Sequence, residues 1–386
     1  RLVGSEMCIR DSPYTASGFA ACGKLFSSLF GMNYMTAMII SAVVIVAYTT
    51  AGGFFAASAT DFVQSIIMTV AIVFVLVFST ISAGGVDAVI ENAKALPGYL
   101  SLTASYIEDT GKSEPYNLLH IITTLSWGLG YFGMPHILLR FMAIEDEKKL
   151  KLSRRVASVW VVIAMAMAVL IGIVGRALSN TGLVDQLHGN DTETIIVRVA
   201  HLLSTYGAFP AIMAGLILAG ILASTMSTAD SQLLAAASSV SENILREAFH
   251  LKISEKKSML AARLTVIGIA ILGIIIARNP DSSVFGIVSF AWAGFGAAFG
   301  PLVICSLFWK RCNWQGALAG MLSGGLMVFV WKYLISPLGG VFSIYELLPA
   351  FIFSVLMIVV VSLCTAEPDA QIAEEFDKVK SGKGLQ

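Results

Sequence analysis

The sequence predicts an all-α polytopic membrane protein, and three observations lead there. Apolar runs of roughly 18 to 25 residues, the length a helix needs to cross a ~30 Å hydrocarbon core, recur along the chain. The 386 residues are 56% hydrophobic and only 13% charged, with a mean hydropathy of +0.80, which is too little charge to cover a water-soluble protein of that size. The runs are continuous and do not alternate apolar with polar, so each satisfies its own backbone as a helix and not as a barrel strand.

In order, the expected crossings run Tyr34 to Gly52, Asp61 to Ala83, Tyr116 to Leu139, Val156 to Leu178, Ala208 to Ser239, Ser258 to Ala277, Val284 to Phe308, Gly316 to Leu334 and Tyr345 to Cys364. A shorter stretch, Pro13 to Phe30, precedes them, giving nine full crossings and one partial one. Residues 1–12 carry Arg1, Glu6, Arg10 and Asp11 among too few apolar residues for a signal-peptide core, and are set apart as a leader foreign to the fold. The membrane domain is then 13–364. The tail, 365–386, mixes charges without apolar periodicity and is expected to be a solvated, partly disordered cytoplasmic end.

Lys and Arg set the orientation. Arg140, Lys148, Lys149, Lys151, Arg154 and Arg155 fill one connection, Arg246, Lys252, Lys256 and Lys257 the next alternate one, and Lys310 and Arg311 a third. Those three are expected in the cytoplasm. The connections 84–115, 179–207, 278–283 and 335–344 are poorer in cationic residues and are expected outside.

Several function classes drop out. Lys plus Arg and Asp plus Glu both total 25, so no bulk basic field attracts nucleic acid. Cys8, Cys22, Cys305, Cys312 and Cys364 form no CxxC pair, and the five histidines form no metal-ligand spacing. Neither a GxSxG elbow nor a P-loop occurs, and Asn190-Asp191-Thr192-Glu193 stands alone in an outside loop, so an enzyme is not expected.

Function is sought where polar residues interrupt apolar helices, because such groups are expensive in a bilayer unless they meet a partner. Ser224, Ser227, Thr228 and Ser231 recur at three and four residues and fall on one helix stripe. Their oxygens suit a hard cation such as Na⁺. The plainer reading is that small hydroxyl residues allow close packing and bond back to their own helix. Asp230 in the same run weighs against that, since a carboxylate there needs a stronger reason. Asp61 follows the glycine turn Gly52-Gly53 and is either a helix N-cap beside Thr60 or an acceptor on a cation's route.

The run Ser126 to His136 holds three glycines and Pro135 where a helix should be deepest, so the helix is expected to break there, the recurrent device of a transporter site. Trp127 and Tyr131, four apart, would present adjacent rings to a small solute. A kinked packing helix with interfacial aromatic residues is the plainer alternative. Ser289 to Pro301 interleaves Gly and Ala with aromatic residues, which reads first as close helix packing and second as a gating hinge.

These residues together resemble the sodium:solute symporter family, and within it the branch that carries proline. The resemblance rests on Tyr48 to Phe54 followed by Thr60 to Gln64, on Trp127 to His136 with Arg140-Phe141-Met142, on Met226-Ser227-Thr228, on Ala291 to Pro301, and on Arg311 with Gly316 to Gly320. It implies the leucine-transporter-like inverted-repeat fold, with the chain entering partway through the third core helix and lacking the first two. It implies Na⁺-coupled import of L-proline across a bacterial cytoplasmic membrane. Ser227 and Thr228 then correspond to hydroxyl ligands of Na⁺, Ser224 to a carbonyl ligand, Asp61 to a carboxylate on the sodium route, and Tyr14, Trp127 and Tyr131 to aromatic residues around the solute pocket. Asp230 departs from the proline branch, and its place on the Na⁺ route stays open. Another small solute of the same family, or a non-transporting ligand sensor on the same fold, are the alternatives.

Overall fold

The computed structural model describes residues 3–108, 110–241, 254–279 and 283–381. Among these, eight helical segments are long and apolar enough to cross a membrane: Tyr34–Gly53, Ala57–Ser82, Leu150–Asn180, Ala208–Ser241, Glu255–Ile276, Val284–Phe308, Trp314–Leu338 and Leu347–Cys364. Their outward faces are apolar as well. Only 6% of the apolar window of Leu150–Asn180 is buried, and Val156, Val159, Val162 and Val169 are exposed on it. That surface suits lipid and not water.

The chain divides into two compact units, Val3–Tyr116 with Arg140–Val288, and Asn117–Leu139 with Ser289 onward. In the first, α1 (Val3–Phe30) is one unbroken helix that includes residues 3–12. Helix α2 (Tyr34–Ser82) is two spanning arms joined at Gly53, whose φ of 62° is left-handed and closed to most L side chains. The glycine turn expected from Gly52-Gly53 is therefore a kink within one helix. Asn33 caps its start, accepting from the amides of Met35 and Thr36 at 3.0 and 3.3 Å.

Helix α3 (Val86–Ala95) leads to a hairpin that helix-length periodicity does not reveal, β1 (Ala104–Ile107) paired antiparallel with β2 (Lys112–Pro115). Later come α6 (Leu150–Asn180), α7 (Ile195–Ser204), α8 (Ala208–Ser238) and α9 (Glu255–Ile276). Arg246 and Lys252, assigned to a cytoplasmic loop, lie outside the described residues.

Helix α8 belongs to two apolar cores at once. Its first half, through Ala214 and Ile217, packs with Ala71 and Val75 of α2, Val174 and Leu178 of α6, and Val199 of α7. Its second half, through Ala229, Leu233 and Ala236, packs with Phe19 of α1, Met38 and Ile45 of α2, and Ile269 of α9. The polar stretch Ser224 to Thr228 falls between them. The cores fix the helix on both sides while that stretch is left half-buried or exposed.

In the second unit, the segment expected to be a ninth crossing is broken. Helix α4 (Leu118–Ser126) gives way to a 3₁₀ turn, Trp127–Gly133, before α5 (Pro135–Met142). The break falls at the glycine-rich run, where helix propensity is weakest. Helix α10 (Val284–Phe308) is buried at every residue from Ala291 to Pro301, which bears out the packing reading of that run.

Helices α11 (Trp314–Val330) and α12 (Leu347–Cys364) approach through a stripe of small residues. A Cβ on Gly316 would stand 1.9 Å from the Ser362 hydroxyl, and one on Gly320 2.1 Å from Ile358. This is the close approach that small residues spaced by four permit in membranes. Residues 370–380 form a helix, α13 (Ala370–Lys380), with a Lys378 to Glu374 ion pair at 2.8 Å and Lys310 bonded to Asp377 at 2.5 Å. Opposite charges at helical spacing hold a solvated helix that apolar periodicity cannot signal.

Candidate functional site

On α8 the hydroxyls of Ser227 and Thr228 both reach the Ser224 carbonyl, each at 3.2 Å, and Ser231 reaches the Ser227 carbonyl at 2.9 Å. Back-bonding of this kind is the ordinary resting state of Ser and Thr in membrane helices. It also gathers three oxygens, one carbonyl and two hydroxyls, around a single point on the helix. A hydroxyl has two acceptor lone pairs besides its donor, so the set fits the oxygen chemistry a hard monovalent cation requires. Ser224 and Thr228 line a cavity of about 170 Å³ together with Tyr14, Ser17 and Gly18 of α1 and Val284 and Val288 of α10. Tyr14 is thereby brought to the same cavity as two of the sodium candidates.

Asp61 is not a helix cap. It lies two turns past the Gly53 kink, inside the second arm of α2, and its carboxylate pairs with Arg140 of α5. Arg140 also donates to the Ser231 hydroxyl at 2.7 Å. The other oxygen of Asp61, Oδ1, is buried and has no hydrogen-bond partner among the described residues. Asp230, fully buried, accepts from the Tyr48 hydroxyl at 3.0 Å and lies 3.4 Å from the Ser231 hydroxyl. Asp61, Arg140, Ser231, Asp230 and Tyr48 thus form one chain of contacts in which the guanidinium pairs with Asp61 and reaches Asp230 only through the Ser231 hydroxyl. Tyr48 and Arg140 were legible only as parts of longer motifs, because sequence spacing carries no trace of the contact between α2, α5 and α8.

Among the aromatic candidates, Trp127 stacks on Trp292 (5.3 Å between centroids) and on Tyr345 (5.9 Å), while Tyr131 meets the edge of Trp292 at 4.8 Å. Tyr131 is 50% exposed. The two rings are therefore unequal: Trp127 is engaged in packing and Tyr131 presents open surface. Tyr14 belongs to the first unit, Trp127 and Tyr131 to the second.

Glu193 corrects a further expectation. Far from standing alone, it accepts from Lys24 of α1 at 3.0 Å, from the Ser283 hydroxyl at 2.7 Å, and from the amides of Val284 and Phe285 at 3.1 Å each. It caps the start of α10 from another segment of the chain, at the positive end of the helix dipole. Partial burial alone would raise its carboxyl, but the bonds from Ser283, the Phe285 amide, Lys24 and the Val284 amide outweigh that and hold it below the usual range. Its contribution is therefore present above the unfolded value of about 4.3 and is lost as pH falls through the lower folded value. Glu193→Gln should lower the melting temperature at pH 7, with the gap from wild type closing as pH falls below about 4 and the wild-type carboxylate is protonated. A gap independent of pH would contradict this cap.

The sodium:solute symporter family matches over residues 10–324. The chain belongs to that family. Sodium/proline symporter 2 of Staphylococcus saprophyticus is 39% identical over 373 residues, 95% of this chain and 70% of the relative. The osmoregulated proline transporter OpuE of Bacillus subtilis is 39% identical over 355 residues, 92% of this chain and 68% of the relative. A sodium/proline symporter of Staphylococcus aureus is 38% identical over 373 residues, 95% of this chain and 70% of the relative.

Among solved structures, a Na⁺-coupled sialic acid symporter in a substrate-bound outward-open state superposes with a TM-score of 0.74 at 18% identity, covering 95% of this chain and 74% of that one. At that identity the likeness speaks to the fold alone. The fold is the leucine-transporter-like one of Na⁺-coupled symporters, and this family member is a multi-pass transporter, not an enzyme.

Proposed function

We propose that this symporter imports L-proline across a bacterial cytoplasmic membrane, driven by Na⁺ moving down its gradient. The observation that carries the reading is identity of 38–39% across 95% of the chain to relatives named sodium/proline symporters. The α8 oxygens supply the matching chemistry. Na⁺ binds at the Ser224 carbonyl with the hydroxyls of Ser227 and Thr228, which turn their lone pairs outward, and Asp61 with Asp230 forms the acidic route that draws the cation onward. Tyr14, Trp127 and Tyr131 are assigned to the solute. The membrane domain spans 13–364 and the tail 365–386.

Coupling follows from shared binding energy: Na⁺ favours the outward-open state in which the solute pocket fills, and release inward resets it. One Na⁺ entering at 100 mV and a tenfold gradient releases about 3.7 kcal/mol, enough to accumulate solute about 500-fold. Competition settles the cargo. Uptake of labelled proline in cells lacking other proline carriers should require Na⁺ and be blocked by unlabelled proline but not by sialic acid, glucose or pantothenate. Uptake of one of those in place of proline would overturn the assignment.

A further inference from the structure

We propose that Trp292 is a positioning residue for the solute site, setting the Tyr131 ring by a direct edge contact and the Trp127 segment by a stack and a hydrogen bond. The inference rests on the reading of Trp127 and Tyr131 as solute residues. Trp292 is 5% exposed, a large ring in a helix run otherwise rich in Gly and Ala. Three of its contacts go to the broken segment. Its ring lies nearly parallel to that of Trp127 (13°) and nearly perpendicular to that of Tyr131 (83°), and its Nε1–H donates to the Trp127 carbonyl at 2.9 Å.

Each contact answers a need created by the break. Within a regular helix, Tyr131 would be aimed by the turns on either side of it. In a 3₁₀ turn between two short helices that constraint is weak, and an outside residue has to supply it. An indole N–H is a donor only and holds a carbonyl without competing for backbone donors. An edge-to-face pair fixes the relative angle of two rings as well as their distance.

The slot admits this ring because of glycine. A Cβ on Gly130 would stand 2.0 Å from Trp292 Nε1, and a Cβ on Gly296, one turn along α10, would stand 2.7 Å from the Gly130 Cα. Trp292 and Gly296 therefore act on one face of α10: the glycine lets the backbones meet, and the indole grips the turn beside it. Since Trp127 is already stacked on two rings and Tyr131 keeps half its surface open, the angle at which Trp292 holds Tyr131 sets how that open ring is presented to a solute.

Trp292→Phe keeps a ring for stacking but removes the N–H and shortens the edge contact, and Trp292→Ala removes all three. Transport kinetics in the full protein should show KM for proline rising about tenfold in Trp292→Phe and further in Trp292→Ala. The maximal rate per transporter should stay within about twofold for Trp292→Phe, with Na⁺ dependence at saturating proline unchanged. Discrimination between proline and valine, an open-chain side chain of similar size, should fall in the same order. A Trp292→Phe variant with unaltered KM and unaltered selectivity, whatever its expression, would overturn the role. Wild-type protein that shows no proline-competed, Na⁺-dependent uptake would instead overturn the cargo reading, and the proposal with it.

Discussion

Thr228→Ala and Ser227→Ala should each raise the Na⁺ concentration for half-maximal uptake about ten- to hundredfold. One hydroxyl lost from a small set of oxygens around a cation removes about 1–3 kcal/mol, and the remaining ligands are held on a helix packed in two cores and cannot close the gap. The maximal rate at saturating Na⁺ should fall much less. Ser323→Ala on α11 is the control, a membrane serine that likewise bonds back to its own helix, to the Gly320 carbonyl at 3.2 Å. If the hydroxyls of 227 and 228 serve only to pack α8, all three alanines should behave alike. Equal Na⁺ dependence across the three would reject the assignment.

Removing Arg140 should have the second largest effect. Arg140→Gln leaves the Asp61 carboxylate without its cation, next to the Ser231 hydroxyl that leads on to Asp230. Breaking a fully buried pair by removing one partner costs about 3–5 kcal/mol. Arg140 is 46% exposed at its side chain, so solvent screening reduces that to about 1–3 kcal/mol. The melting temperature should drop by about 3–10 °C and uptake should be lost. Adding Asp61→Asn to Arg140→Gln removes the uncompensated charge and should restore part of the melting temperature without restoring uptake. A double variant whose loss is the sum of the two single losses would show that the pair is not coupled.

The fold was legible in the sequence wherever one helix does one job. Continuous apolar runs located the two arms of α2 and all of α6, α8, α9, α10, α11 and α12, because each satisfies its backbone internally and needs no distant partner to be recognised. The run Trp127 to Gly133 was legible as a break for the complementary reason, its glycines weakening local propensity. What escaped depends on partners far away in sequence. Glu193 reads as one more acidic residue in a polar loop until Lys24 and Ser283 are seen beside it, 169 and 90 residues distant. Trp292 reads as packing until its N–H is seen on the Trp127 carbonyl, 165 residues away. Asp61 looked like a helix start because a glycine pair precedes it, yet the helix resumes immediately after Gly53 and carries Asp61 inside. The stripe Ser224-Ser227-Thr228 was found by periodicity alone, and periodicity alone could not separate a cation site from back-bonding, since one geometry serves both.

Purified protein in sealed vesicles, with an inward Na⁺ gradient and no other ion gradient imposed, offers the most direct trial of coupling. The account predicts that labelled proline rises inside well above its external concentration and leaks back when the gradient collapses, and that choline in place of Na⁺ gives equilibration at most. Accumulation of the same size in choline would contradict it.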